Sequence, residues 1–314
     1  MTRSTRTNPA LVGAIEAGGT KFVCGVGSGP GDELRSRAKF PTTDDPARVL
    51  AQVCAWFEAQ QRTHGKLDAI GIASFGPVDL DRASPTYGFM TSSPKAGWRN
   101  TDIVGALRRV FPDIPIGFDT DVNGAGLGEF TWGNARGLED FVYITIGTGI
   151  GAGGMAGGRL LHGLVHPEMG HLRLPRVGGD TFEGVCPYHG SCWEGLCSGL
   201  AMQVRTGMRA EELPADHPAW RLEAQYIALA IENIMYVLSP RRIIVGGSVR
   251  KGGQLGEARF FDWIRRGVQA SLNGYVVSSS VGAGIDEYIV APLLGDDAGV
   301  CGAIALGLRA MGTG

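Results

Sequence analysis

Between His166 and Cys192 the stretch HPEMGHLRLPRVGGDTFEGVCPYHGSC gathers a glutamate, imidazoles and thiols where regular periodicity is weak. His171 followed by C-x-x-H-x-x-C at Cys186, His189 and Cys192 offers two imidazoles and two thiolates, a borderline-soft tetrahedral set matched to zinc. Four protein ligands leave no open coordination position. Zinc held there is structural rather than hydrolytic, and it pins a loop with few apolar residues of its own. The competing reading is buried thiols beside surface imidazoles. Cys197, among small residues, reads as packed instead. Glu168, one turn step before His171, then becomes a carboxylate positioned to hydrogen-bond a polyol.

FDTDVNG sets Asp119, Asp121 and Asn123 at alternating positions just past an apolar run. Strand-end carboxylates suit a base that accepts a hydroxyl proton, and in phosphoryl transfer such a group mainly orients the nucleophile. The same side chains could cap the helix that follows, and both readings stand because three polar groups exceed what one cap uses. In EAGGTK, Glu16 precedes Gly18, Gly19 and Thr20, whose amides and hydroxyl can face phosphate oxygens, although such turns also simply join hairpins. TIGTGIGAGG holds Gly147, Gly149 and Ala152 in the G-x-G-x-x-A spacing of dinucleotide folds. The GGMAGGRLLHG that overlaps and follows cannot open the helix this motif needs, so a nicotinamide site is set aside. Neither turn contains G-x-x-x-x-G-K-[ST], which excludes a P-loop. With IIVGGSV as a third glycine turn, the set suits a nucleotide whose phosphates lie between two lobes.

These groups require alternating strands and helices to hold them. LVGAI and FVCGVG read as strands joined by the first glycine turn. A helix is expected over about 46–62, with Asp45 as N-cap and Pro46 at its first position. LDAIGIAS reads as a buried strand, DIVGALRRVF as a short helix opened by Thr101 and Asp102, and IPIGFD as the strand delivering Asp119. GAGLGEFTWG is a helical stretch. FVYITI, its glycine turn and the run with Gly157 and Gly158 repeat the N-terminal arrangement, so the chain reads as two related halves facing one ligand. Apolar spacing predicts a helix from about 219 to 238, closed by Pro240. RRIIVGGSV adds a strand, and DDAGVCGAIALGLRAM a last amphipathic helix.

With 314 residues, 44% hydrophobic and 19% charged, the chain has core material for one large or two medium soluble domains. A formal net charge of -2 gives no electrostatic footprint for nucleic acid or anionic lipid, so an acidic ligand must be met locally. No apolar run follows MTRSTRTNPA before the first glycine, and no window nears the roughly 20 apolar residues of a membrane helix. The cytoplasm is the expected compartment. Six cysteines are too few for a disulfide scaffold, and Cys24, Cys54 and Cys301 read as buried small hydrophobes. The 50 glycines gather in turns between apolar runs.

EAGGTK, GIASFGPVD, DTDVNGAGLGE, TIGTGIGAGG, HPEMGH, CPYHGSCWEG and IIVGGSV stand in the order and spacing of the ROK-family sugar kinases, which the chain resembles over residues 11–312. Within that family, the compact C-x-x-H-x-x-C, SPKAGW and DTDVNGA most resemble bacterial fructokinases. The resemblance implies an α/β, actin-like ATPase (ribonuclease H-like) fold of two lobes with a cleft between them. Residues 1–10 are then a disordered N-terminus, 11–120 with 296–312 the N-terminal lobe, and 121–295 the C-terminal lobe with the zinc-binding loop. It also implies ATP with Mg2+, Zn2+, a homodimer, a small-molecule sugar substrate, and neither nucleic-acid nor membrane partners. By motif, Asp121 is the catalytic base, and Asn123, Glu168, His171 and Glu194 line the sugar site, with His171 shared with zinc. Gly18, Gly19, Thr20, Thr148 and Gly149 meet phosphates, and Gly246 and Gly247 the adenosine side. Glu16 stands where many relatives carry Asp, and the longer side chain can still hold hydrated Mg2+. The implied reaction is ATP-dependent phosphorylation of a hexose, D-fructose foremost, with mannose and glucose as alternatives. A sugar-responsive repressor would carry a helix-turn-helix ahead of the first glycine turn, where too few residues stand. A zinc-stabilised sugar-binding module without turnover is opposed by the intact DTDVN and both phosphate turns.

Overall fold

The hairpin around Gly18 and Gly19 forms: β1 (Val12–Ala17) pairs antiparallel with β2 (Lys21–Gly27), Ala17 opposite Phe22. The computed structural model describes residues 9–312, so most of the N-terminal segment expected to be disordered lies outside the described residues. β3 (Leu34–Pro41) extends the hairpin, and α1 (Pro46–His64) follows, its Asp45 cap accepting from the Arg48 amide. β4 (Ala69–Ser74) is buried along its whole length, as a central parallel strand must be. β5 (Phe89–Met90) and β6 (Thr101–Asp102) make a small ribbon, α2 (Ile103–Val110) is capped by Asp102, and β7 (Ile116–Thr120) leads into α3 (Asp121–Trp132). Next come β8 (Phe141–Ile146), β9 (Ile150–Ala156), β10 (Arg159–Leu160), α4 (Trp193–Cys197), α5 (Gly199–Thr206) and α6 (Ala219–Leu238). β11 (Ile243–Gly246), α7 (Glu257–Leu272), α8 (Ile285–Tyr288), β12 (Ile289–Val290) and α9 (Ala298–Ala310) complete the order.

Two compact units result. The first comprises the chain up to Gly133, the segment His162–His166 and the chain from Asp297; the second comprises Asn134–Leu161 and Pro167–Asp296. The boundary expected between 120 and 121 falls instead after 133, because α3 packs against α9 and stays with the first sheet.

In the first unit the strand order is β3-β2-β1-β4-β7, with β1, β4 and β7 parallel. Ala17 pairs with Ser74 and Ser74 with Thr120, so the carboxyl ends of these strands are level and the loops after them open on one edge. α9 departs from the expected amphipathic pattern, being buried at every residue from Ala298 to Gly307. It lies between α3 and the sheet, and its apolar and glycine composition is that of a helix covered on both sides. Backbone meets backbone there: a Cβ on Gly71 would overlap the Ala303 carbonyl, and one on Gly302 the Gly124 carbonyl.

The second unit repeats the order as β10-β9-β8-β11-β12, again with an antiparallel hairpin beside parallel strands. The duplication read from the glycine turns is thus a duplication of sheet topology. Here the covering helices α6 and α7 meet through large side chains, Trp220 packing on Phe260 with ring centroids 5.2 Å apart. No helix among the described residues is long and apolar enough to cross a membrane.

Candidate functional site

In the first unit the turn after β1 is tied down on both sides. The Gly18 amide donates to the Lys21 carbonyl (3.0 Å), Thr42 Oγ1 donates to the Gly18 carbonyl (2.7 Å), and the Thr42 amide donates to the Thr20 carbonyl (2.9 Å). Its tip is open: Thr20 is exposed, and a Cβ on Gly19 would meet nothing within 4 Å. Just before it, the Glu16 carboxyl is pushed up to about 7, first by burial and then by the charge of Asp121, against the opposing pull of Arg37 and Lys21.

The alternation of Asp119, Asp121 and Asn123 is broken by the strand-to-helix transition. Thr120 is the cap of α3, its Oγ1 accepting from the Asn123 amide (3.1 Å), so neither Asp fills that role. Asp119 is buried and uses both oxygens. Oδ1 accepts from the Thr120 amide and from Asn123 Nδ2, each 2.8 Å, and Oδ2 lies 2.8 Å from His162 Nε2. Asn123 is fully buried. Asp121 stands in the first turn of α3, its Oδ1 accepting from the Val122 amide at 2.9 Å. Sequence reasoning missed His162, whose imidazole is raised by its hydrogen bond to Asp119, and His166, whose Nε2 accepts from the Val78 amide at 3.1 Å. The available signal was two histidines bracketing HGLVH.

In the second unit the turn after β8 is closed by the Gly147 amide donating to the Gly149 carbonyl (2.9 Å), and the Gly199 amide donates to the Gly147 carbonyl (2.7 Å). Thr148 is exposed at its tip. β11 runs parallel to β8 with Gly246 opposite Thr145, and Gly247, at φ +86°, lies so close to the Ile146 carbonyl that a Cβ would overlap it. Glycine at 247 therefore brings the turns at Thr148–Gly149 and Gly246–Gly247 to one edge of the second sheet.

The expected metal ligands come together. Ligand atoms of His171, Cys186, His189 and Cys192 all lie within 4.8 Å of one another. His171 Nδ1 is 3.4 Å from Cys192 Sγ and 3.8 Å from Cys186 Sγ, and Cys186 Sγ is 3.7 Å from His189 Nδ1. Zinc bonds of about 2.3 Å to sulfur and about 2.0 Å to nitrogen give tetrahedral N···S edges of roughly 3.6 Å, so the set fits that ion. Burial holds the His171 imidazole down, favouring the neutral form that ligates, and pushes the Cys192 thiol up to about 11. Two isolated bridges, Arg173 with Cys192 and Cys186 with Gly190, shape the loop. Cys197 is buried outside the set, and Cys24, Cys54 and Cys301 are buried thiols, as expected.

Glu168 and Glu194 flank this cluster. The His171 amide donates to the Glu168 carbonyl (3.0 Å), and His171 Nε2 lies 3.9 Å from Glu168 Oε2. The Glu168 side chain keeps 42% of its surface exposed, yet desolvation and then the charge of Glu194 push its carboxyl up to about 7. Glu194, in the first turn of α4, accepts from the Ile150 amide (2.9 Å) and lies against Gly149, where a Cβ would stand 2.7 Å from its Oε2. One carboxylate thus ties the metal-ligand loop to the second glycine turn.

The chain matches the ROK family over residues 12–310. It is 41% identical to a fructokinase of Pediococcus pentosaceus over 301 residues, covering 96% of this chain and 99% of that protein. Among solved structures it is similar to a ROK hexokinase from Thermus thermophilus (25% identity, TM-score 0.77, 97% of this chain and 100% of the other). It is also similar to a ROK family glucokinase from Streptomyces griseus in complex with glucose and AMPPNP (25% identity, TM-score 0.72, 96% and 100%). The fold shared with these kinases is the actin-like ATPase fold, and the repeated strand order of the two sheets is its signature here. Motif order, sheet topology and full-length likeness converge, and the chain belongs to the ROK family.

Proposed function

We propose that the protein is an ATP-dependent fructokinase, transferring the γ-phosphoryl group of ATP to the 6-hydroxyl of D-fructose with Asp121 as base. The observation that carries this reading is the near-full-length likeness to a fructokinase at 41% identity, against 25% for the hexokinase and glucokinase structures. Asp121 suits the role because it sits on the first turn of a helix, at the level carboxyl edge of the parallel strands, with one oxygen held by the Val122 amide. It accepts the hydroxyl proton as the sugar oxygen bonds to phosphorus and the bond to the ADP oxygen breaks. The turns at Gly18–Thr20 and Thr148–Gly149 are assigned to the phosphates, and Gly246–Gly247 to the adenosine side. Asn123, Glu168, His171 and Glu194 are assigned to the sugar. Asn123 is oriented by Asp119, and Glu194 by the Ile150 amide.

Glu16 would hold Mg2+, the excess negative charge that it shares with Asp121 being what a divalent cation relieves; Mg2+ when bound supplies charge neutralisation to phosphate oxygens. His171, Cys186, His189 and Cys192 would hold Zn2+, which supplies a cross-link to the loop carrying Glu168. A homodimer in the cytoplasm belongs to the same reading, supported by the exposed apolar Tyr236, Val237, Tyr275 and Val277 of the second unit. Light scattering tests the dimer. For the reaction, coupled-assay turnover with ATP should favour fructose over mannose and glucose by about tenfold or more in kcat/KM. Equal or better turnover of glucose would overturn the sugar assignment.

A further inference from the structure

Glu16 is the next-to-last residue of β1, and the first turn of α9 passes against its side chain. A Cβ built on Gly299 would overlap Glu16 Cδ and stand 2.5 Å from Oε1 and 2.8 Å from Cγ. The space left by the missing side chain at 299 is therefore the space that Glu16 occupies. Nothing in the backbone requires glycine there, because Gly299 lies inside a regular helix without a left-handed φ. Glycine inside a helix costs about 1 kcal/mol against alanine. Gly302 and Gly307 on the same helix have another cause, since the first admits the backbone of α3 and the second the Val12 side chain of β1 with the backbone of β4 behind it. Gly299 admits a carboxylate. Around that carboxylate the first unit collects Asp121 and Asp297 with Arg37 and Lys21, and Arg37 pairs with Asp297 immediately before α9.

We propose that Gly299 is a positioning residue for Mg2+-dependent phosphoryl transfer: by lacking a side chain it seats the Glu16 carboxylate on the first turn of α9, within electrostatic reach of Asp121. The proposal rests on the kinase reading above and names the residue that sets where its carboxylate stands.

The test pairs Gly299→Ala with Glu16→Asp/Gly299→Ala. The single variant adds the colliding carbon to a position where alanine favours the helix, so melting should change little. The half-saturating Mg2+ concentration for turnover should rise about ten- to hundredfold, and Mn2+ binding, read by electron paramagnetic resonance with ADP present, should weaken alongside it. The double variant shortens the side chain by one carbon, which removes the Oε1 contact and lets the smaller carboxylate rotate away from the added carbon, and should recover most of the lost Mn2+ binding. Wild-type Mn2+ binding in Gly299→Ala, or a double variant no better than the single one, would overturn the proposal. Should Gly299→Ala alone fail to fold, the double variant decides: Mn2+ binding near wild-type strength supports the proposal and its loss refutes it. A wild-type protein that phosphorylates no hexose would remove the kinase reading, while the Mn2+ comparison still reports on Gly299.

Discussion

In the first unit Glu16 is pushed up to about 7 by burial and then by Asp121; in the second, Glu168 is pushed up to about 7 by desolvation and then by Glu194. The two sheets share one strand order, and each unit also holds a carboxyl raised by burial and by a neighbouring carboxylate. The supports differ. Glu16 and Asp121 project from the end of β1 and the first turn of α3, elements locked by the sheet register and by α9, with Arg37 and Lys21 offsetting part of the repulsion. Glu168 projects from a long irregular segment whose shape depends on two isolated bridges and on four converging metal ligands. One pair is preorganised by secondary structure, the other by a site suited to an ion. The turns differ too: residues 18–21 separate Ala17 from Phe22, whereas the shorter 147–149 separates Ile146 from Ile150, and Thr145 stands where the first hairpin has Glu16. Shared topology places the loops, and loop residues decide which charges they present.

The contrast can be broken first at its charges. Asp121→Asn should lower turnover by about 10²–10⁴ while melting and nucleotide binding stay near wild type; unchanged turnover would remove Asp121 from the chemistry. The two cores should break in opposite ways. Trp220→Ala empties the packed α6 and α7 layer and should cost about 3–5 kcal/mol by denaturant unfolding. Gly302→Val forces α9 off α3 and should cost about 1–3 kcal/mol or more. Removing the second unit's support, by Cys192→Ser or a strong chelator, should raise KM for fructose by about ten- to hundredfold and lower the melting temperature. Nucleotide affinity should move much less, and elemental analysis of the untreated protein should find one zinc per chain.

The last effect is in pH. The unfolded chain releases the Glu16 proton near the ordinary 4.5, while the folded protein keeps it until about 7. The stability Glu16 contributes is therefore fully present below 4.5, is lost as pH rises through 7, and stays lost above it, a change of about 3 kcal/mol. Without divalent cations, Glu16→Gln should flatten the unfolding free energy across that window. An unaltered slope would mean that another group carries it.

Much of this was legible because its causes are local. Asp45 and Pro46 open α1, and the apolar run of β4 is a buried strand, since caps and periodicity act over a few residues. The metal-ligand set could be named from side-chain chemistry and the spacing of Cys186, His189 and Cys192. The last helix reads as amphipathic from sequence and is not, because its second covered face comes from α3, far away in sequence. The role of His162 is not legible in sequence because its partner Asp119 sits on a strand that only the fold brings beside it.

By itself the sequence determined the family, the strands that flank the glycine turns and the His/Cys set that converges, because these follow from residue type and short-range spacing. Tertiary structure alone decided that Asp119 serves Asn123 and His162, that Glu194 joins the metal-ligand loop to the second turn, and that Gly299 makes room for Glu16. Burial, charge proximity and steric room are properties of residues distant in the chain, and they exist only once packing has brought those residues together.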